Sequence, residues 1–377
     1  VLAIVITLGI ANHTALAGSR VAVSLSALKM GASAFTVGAL MALFALLPML
    51  CAVSVGRISD RIGVRTPMLV GSIGVALGAS ISFVWTSMWA LFATAMLTGV
   101  SFMMFQLSTQ RVAGELGSAG DRMRNFGLLA LGYSVSGFSG PLLSGFSIDH
   151  FGFPVAFAVA AVIALLPVAV LGSGRLPLPG PHPAAASPHQ GGVRALLTHR
   201  ALRHTYAINV LLAAGWDLHQ TFVPIYGARN GLSASEIGVV LASFAAATFV
   251  IRALMPILMR RQTEHQVLTL SLYIAGIIYL LFPFSQSALT LSALSFVLGL
   301  GLGAGQPMVM SLLHTHAPAS RVGEAVGVRM SLVQTSSVAV PLLFGAVGSS
   351  LGLAPVFWSV GVCLTGGGYY WRRGVIR

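Results

Sequence analysis

KMGASAFTVGALMALF at residues 29–44 returns as RNGLSASEIGVVLASF at residues 229–244. Gly31, Ser33, Ala34, Gly38, Ala42 and Phe44 recur as Gly231, Ser233, Ala234, Gly238, Ala242 and Phe244. The same offset, without a gap, sets Gly99 over Gly299, Gln106 over Gln306 and Gly127 over Gly327. It also sets Pro141-Leu142-Leu143 over Pro341-Leu342-Leu343. Apolar sequence gives chance matches, but one offset that keeps glycines and prolines in register from residue 31 to residue 143 marks an internal repeat.

Each copy is built for an apolar solvent. Of 377 residues, 56% are hydrophobic and 8% charged, and the mean hydropathy is +0.89. A water-soluble domain carries about 25% charged residues, so most of this surface faces something other than water. A helix that crosses hydrocarbon takes about 20 apolar residues, which leaves room for roughly twelve crossings joined by short loops. Apolar runs and turn residues predict helices over 2–26, 34–55, 67–86, 88–110, 126–147, 153–172, 204–226, 234–256, 266–285, 288–312, 325–347 and 353–371. The expected fold is an all-α integral membrane protein of two pseudo-symmetric six-helix bundles. Residues 1–173 form the first, 174–203 a cytoplasmic linker, and 204–377 the second. The linker contains PLPGPHPAAASPHQGG, a composition that cannot build a core. Parallel repeats related by an axis along the membrane normal are a transporter architecture, in which one bundle rocks against the other.

The net charge of +13 records topology rather than a nucleic-acid partner, since the basic residues sit in short loops and form no stripe interleaved with aromatics. Loops after even-numbered helices carry Arg57, Arg61, Arg65, Arg122, Arg124, Arg175, Arg194, Arg200, Arg203, Arg260, Arg261 and Arg321. Loops after odd-numbered helices hold only Lys29 and Arg229. That asymmetry predicts cytoplasmic termini and, for a bacterial chain, the inner membrane. The first apolar run starts at Val1 without a charged leader. It reads as a membrane helix rather than a cleaved signal, and the natural N-terminus is expected upstream. Cys51 and Cys363 lie in apolar runs and read as small packing residues.

Gly56-Arg57-Ile58-Ser59-Asp60-Arg61-Ile62-Gly63-Val64-Arg65 stands between the second and third predicted helices. Gly56 suits close helix packing and Gly63 a tight turn. The segment resembles the signature of the major facilitator superfamily, G-x-x-x-D-R-x-G-x-[RK], and departs from it at Val64, where a second basic residue is frequent. The resemblance implies the twelve-helix fold of that family and a conformational latch. In the family the motif's Asp, here Asp60, faces the start of the eleventh helix, where a carboxylate is favoured by about 0.3–1 kcal/mol. Arg329, one turn into that helix, is a further partner for Asp60. A solvated, orienting loop is the other reading. Gly137-Phe138-Ser139-Gly140-Pro141-Leu142-Leu143-Ser144-Gly145 in the fifth helix is similar to the family's antiporter-associated Gly-Pro motif, with Ser136 and Ser144 where Gly is usual. Close packing alone would account for it equally.

Ionisable groups within membrane helices are costly and usually functional. Arg20, Asp217, His219, Arg252 and Arg329 are of this kind. His13, Ala17, Arg20 and Ser24 fall on one helical face, and Asn209, Ala213, Gln220 and nearby Asp217 form the corresponding face of the seventh helix. The resemblance implies a cavity lined by helices 1, 4, 7 and 10. Arg20 and Asp217 are expected to face each other across the bundle interface, toward the outer side, as a gate or proton-sensitive pair. Snorkelling of Arg20 to the interface is the alternative. Gln106 and Gln306 either line the cavity or bond across helices. Arg111 and Glu115 close the fourth helix in a cytoplasmic network.

The sequence holds no phosphate loop of Walker spacing, no metal cluster and no nucleophile–base set. The chain is thus expected to be no enzyme and to need no cofactor, with a proton gradient as its energy source. The expected partners are a small-molecule substrate and the lipid bilayer, with no nucleic acid and a monomeric state. The leading function is proton-coupled efflux of a small amphipathic compound by alternating access. Proton-coupled uptake of an organic anion, drawn from Arg20, Arg252 and Arg329, is the alternative. A non-transporting sensor would call for a sizeable soluble domain, and these 377 residues are filled by apolar runs and short loops.

Overall fold

Short polar residues start the helices, and they do so at repeated positions. Ser33 accepts the backbone N–H of Thr36, and Ser233 accepts that of Glu236, whose carboxylate in turn takes the Ser233 N–H. Ser87 and Ser287 cap their helices in the same way. Such caps satisfy backbone donors that the first turn leaves open. The turns repeat too: Gly31 and Gly231 have φ of 81° and 79°, and Gly152 and Gly352 have 88° and 87°. Only glycine takes up this left-handed region without strain, so the repeat extends to backbone conformation.

The computed structural model describes residues 1–116, 121–181, 193–318 and 321–375. The side chain of Asp60 is outside the described set. The first six helices are α1 Leu2–Lys29, α2 Ala34–Ile62, α3 Arg65–Val84, α4 Met88–Glu115, α5 Asp121–Phe151 and α6 Phe153–Gly172. A short α7 at Val193–Thr198 precedes α8 Arg200–Arg229, α9 Ala234–Leu258, α10 Glu264–Leu281, α11 Ala288–His316, α12 Val322–Ser350 and α13 Leu353–Val375. Ten of these are long and apolar enough to cross a membrane by length and composition. The other two long ones, α8 and α13, pack against α12 and α10 within the same bundle.

Helix ends run past the sequence-based expectation at several places. The largest are α2, which continues to Ile62 rather than 55, α4, to Glu115 rather than 110, α5, which runs Asp121–Phe151 rather than 126–147, and α8, which begins at Arg200 rather than 204. These additions are largely polar turns that project beyond the apolar run, so hydropathy alone ends the helix too early. Residues 182–192 of the expected linker lie outside the described residues.

The halves meet through exchanged contacts. A Cβ on Gly238 of α9 would lie 2.6 Å from the Pro141 carbonyl of α5, and one on Gly38 of α2 would lie closer still to the Pro341 carbonyl of α12. Gly145 packs on Ala234, and Gly345 on Ala34. Each contact maps onto its partner when the halves are swapped, as a pseudo-two-fold axis requires. All of these lie toward the side carrying the α1–α2 and α8–α9 turns, called here the far side. Toward the linker side the halves diverge. The symmetry-related Gly127 and Gly327, and Gly56, have nothing among the described residues within 4 Å of where a Cβ would sit. The close packing expected of Gly56 is therefore not made among the described residues. The molecule is closed on the far side and opens on the linker side.

Candidate functional site

Asp217 of α8 is 8% exposed and is held by α12: Ser336 Oγ donates to it at 3.2 Å, and Ser337 Oγ at 3.0 and 3.1 Å to its two oxygens. A buried carboxylate needs such donors or a cation. The cation comes from the other half. Arg20 of α1 stands close enough for its charge to attract that of Asp217, short of ion-pair contact. Its guanidinium lies 5.7 Å from the centre of the Phe44 ring and makes no hydrogen bond among the described residues. Gln220, one turn beyond Asp217, is half-buried and makes none either.

Around this pair the first half contributes His13, whose Nδ1 shares a hydrogen bond of 2.5 Å with Ser136 Oγ of α5. The His13 ring lies 5.2 Å from that of Phe102 and 5.0 Å from that of Tyr133. Gln106 lies beside Tyr133. In the second half, His219 is buried, bonds Ser295 at 3.0 Å and stacks on Phe244.

Nearer the linker side, Arg252 of α9 reaches across to α5. Its Nη1 donates to the Ala130 carbonyl at 3.0 Å and to Ser134 Oγ at 2.9 Å. Its Nη2 donates to Gln306 Oε1 of α11 at 3.0 Å, and the Arg252 Cζ lies 5.9 Å from the centre of the Trp216 ring of α8. Four helices converge on this guanidinium. Gln306 is thus brought to Arg252, whereas Gln106 is not.

The fifth-helix motif serves the packing of both halves. Gly140 faces inward: a Cβ there would meet Ala17 at 2.7 Å and the Gly18 backbone at 2.9 Å on α1. Gly137, Pro141 and Gly145 face α9 instead, at Ala245, Gly238 and Ala234. At the far end of the same helix, Asp149 accepts the backbone N–H groups of Ala234 at 3.1 Å and Ser235 at 2.7 Å. It thereby caps α9 from the other half. Ser349 does the same for Phe35 of α2 at 2.9 Å. Asp149 borders an open cleft of about 660 Å³ on the far side, together with Lys29 and Arg229. In the sequence Asp149 falls in the stretch Asp149-His150-Phe151-Gly152, which reads as a loop. Its repeat position over Ser349, two residues both able to cap, is the signal that could have found it.

Most of the expected Gly56–Arg65 loop is instead the last turns of α2, and the turn at Gly63 faces the chain that follows α6. Gly63, at φ 82°, lies against Gly180 and Pro181. Arg65 donates to the Leu171 carbonyl at 3.0 Å and to that of Leu176. Arg111 pairs with Glu115 at 2.6 Å and donates to the carbonyls of Ser59 and Gly180, each at 3.0 Å. Arg61 is exposed. Arg329 is 5% exposed and turns to Asn209 Oδ1 of α8, 3.1 Å away. Its expected pairing with Asp60 lies outside the described residues.

Comparison with known proteins gives this geometry a lineage. The model of the Major Facilitator Superfamily matches residues 3–264 and 205–373. Class G tetracycline resistance protein of Vibrio anguillarum is 25% identical over 322 residues, which span 83% of this chain and 80% of that protein. Class C tetracycline resistance protein of Escherichia coli is 26% identical over 351 residues, 87% of this chain and 84% of that protein. Among solved structures, a peptide transporter POT in complex with sulfate superposes with a TM-score of 0.81 at 16% identity, over 99% of this chain and 93% of that one. At that identity the likeness is one of fold. The chain is an integral membrane transport protein rather than an enzyme, and it belongs to the Major Facilitator Superfamily.

Proposed function

We propose that this chain is a proton-coupled exporter of a small amphipathic compound. It works by alternating access in a bacterial inner membrane, with the linker side cytoplasmic. One observation carries the reading: Asp217, a buried carboxylate of the second half, faces Arg20 of the first. A proton on Asp217 removes its attraction for Arg20 and so changes the relative energy of the closed and open far side. Deprotonated, the pair favours the far side closed. The arginines of the linker side, against Lys29 and Arg229 on the far side, support the orientation. Relatives named for tetracycline resistance support export of an amphipathic cargo. The coupling sites are Arg20 and Asp217, and the cycle uses no cofactor.

The test is transport in proteoliposomes under an imposed pH gradient, with tetracycline, other amphipathic drugs, sugars and carboxylates as probes. Accumulation of an amphipathic probe on the acidic side, lost in Asp217→Asn while gradient-free exchange persists, is expected. Accumulation on the alkaline side would instead favour the competing reading, uptake of an organic anion, which draws on the membrane-embedded arginines. Gradient-driven transport by Asp217→Asn at the native rate would remove the coupling site.

A further inference from the structure

The arginine at the meeting point of α5, α8, α9 and α11 has no counter-charge among the described residues. Arg252 uses three donors, to the Ala130 carbonyl, Ser134 and Gln306, all neutral. Its Nε is buried and finds no partner among the described residues. No carboxylate among the described residues pairs with it, and Asp217 is engaged with Arg20 and two serines. A guanidinium held in a low-dielectric setting among neutral acceptors is incompletely compensated, and an anion is the group that completes it. Gln306, which accepts from Arg252, donates its own amide N–H groups to no partner among the described residues and is exposed on the diverging, linker side of the halves. The patch is rich in donors and poor in acceptors.

A purely mechanical bridge would be needed at both symmetry-related contacts. The repeat places Ala52 where the second half has Arg252, and α12 meets α2 with Thr335 against Met49, with no cation at that contact among the described residues. The charge therefore belongs to one of the two related crossings only. The Trp216 ring gives an apolar face beside that charge.

We infer that the cargo carries an acidic group, of the carboxylate or sulfonate class, that binds at Arg252 beside Gln306 while its aromatic or aliphatic body lies against Trp216. Arg252 is thus a specificity residue. The inference rests on the cavity being the cargo's path and deepens that reading from "amphipathic" to "amphipathic anion". Its test needs neither a gradient nor a direction, so it can fail while pH-driven transport stands, and the reverse.

Equilibrium binding to the purified full chain in lipid nanodiscs, corrected with empty nanodiscs, compares three probes of one shape: 1-naphthoate, 1-naphthamide and 1-naphthylmethylammonium. A charge-assisted contact predicts that the carboxylate binds about tenfold tighter than the amide, and tighter still than the cation. In Arg252→Gln the preference of naphthoate over naphthamide falls to near unity, and in Arg252→Lys part of it returns. Gln306→Ala, which leaves the α5 contacts of Arg252 in place, lowers the preference without abolishing it and guards against a misfolded Arg252→Gln. Equal binding of naphthoate and naphthamide by the native chain, preference for the cation, or a preference that survives in Arg252→Gln overturns the inference.

Discussion

A single ionised side chain in hydrocarbon costs several kcal/mol, roughly 2.5–3.5 at a helix centre, so each one kept there must be compensated or used. Asp217 is compensated twice, by the serines of its own half and by Arg20 of the other. Only the second contribution changes when the halves move. Arg20→Ala is therefore expected to leave the fold intact and to flatten the pH dependence of transport, as measured by initial rates across a series of external pH values. Combined with Asp217→Asn it should add little further loss, because the two residues act as one unit. A native pH profile in Arg20→Ala would return Arg20 to the role of an interface anchor. Both residues were legible in the sequence, since a charge in an apolar run stands out and the repeat placed them on corresponding faces. Their partners were not. Ser336 and Ser337 look like any small residues of a membrane helix until α12 is laid against α8. Asp149 is the clearer omission: a carboxylate at a helix end reads as a loop residue, and its role exists only once the start of α9 is brought to it.

At the scale of elements, the far-side seal consists of two crossings of the same design and unequal strength. Both bring a glycine of one helix against the carbonyl of a mid-helix proline in another, Gly38 on Pro341 and Gly238 on Pro141. Both then finish with a side chain capping the opposing helix. The cap on α9 is a carboxylate making two bonds, and that on α2 is a hydroxyl making one. A charged cap gains from the helix dipole as well as from its hydrogen bonds. Asp149→Ala is expected to weaken far-side closure by about 0.5–2 kcal/mol, more than Ser349→Ala does. The measure is the rate at which a thiol reagent applied from the far side labels a cysteine placed at Leu25 or Ile237, which line the far-side cleft. Equal effects of the two variants would deny the charge its part. Gly238→Val tests the crossing itself. Its Cβ falls 2.6 Å from a backbone carbonyl, which cannot swing away as a side chain can. Overpacking of this kind costs about 1–3 kcal/mol, paid only in the far-side-closed state, so labelling in the cleft should rise and transport should fall. The repeat had already paired these glycines and prolines along the chain. That they touch crosswise between halves follows from the axis relating the copies, which no stretch of sequence states.

The whole molecule is a pair of bundles whose contacts survive exchange of the halves, and whose departures from that exchange carry the charges. Asp149 stands over Ser349, Asp217 over Ala17, Arg252 over Ala52. Symmetric parts supply the hinge and asymmetric parts the chemistry, so motion should be testable apart from binding. In this conformation Asp149 and Ser235 are joined by a 2.7 Å hydrogen bond between halves. That closeness suits a disulfide, whose Cα atoms lie about 4.4–6.8 Å apart. With Cys51 and Cys363, both free thiols, replaced by serine, the pair Asp149→Cys and Ser235→Cys should cross-link on mild oxidation. If the far side must open in each cycle, the cross-linked protein retains binding from the linker side and loses transport, and a reductant restores transport in the same vesicles. Binding is expected to persist because Gln306, which holds Arg252, is already exposed in the locked state. Full transport by fully cross-linked protein would mean that the α5–α9 crossing does not part, and the two bundles would then have to move about it as a fixed pivot.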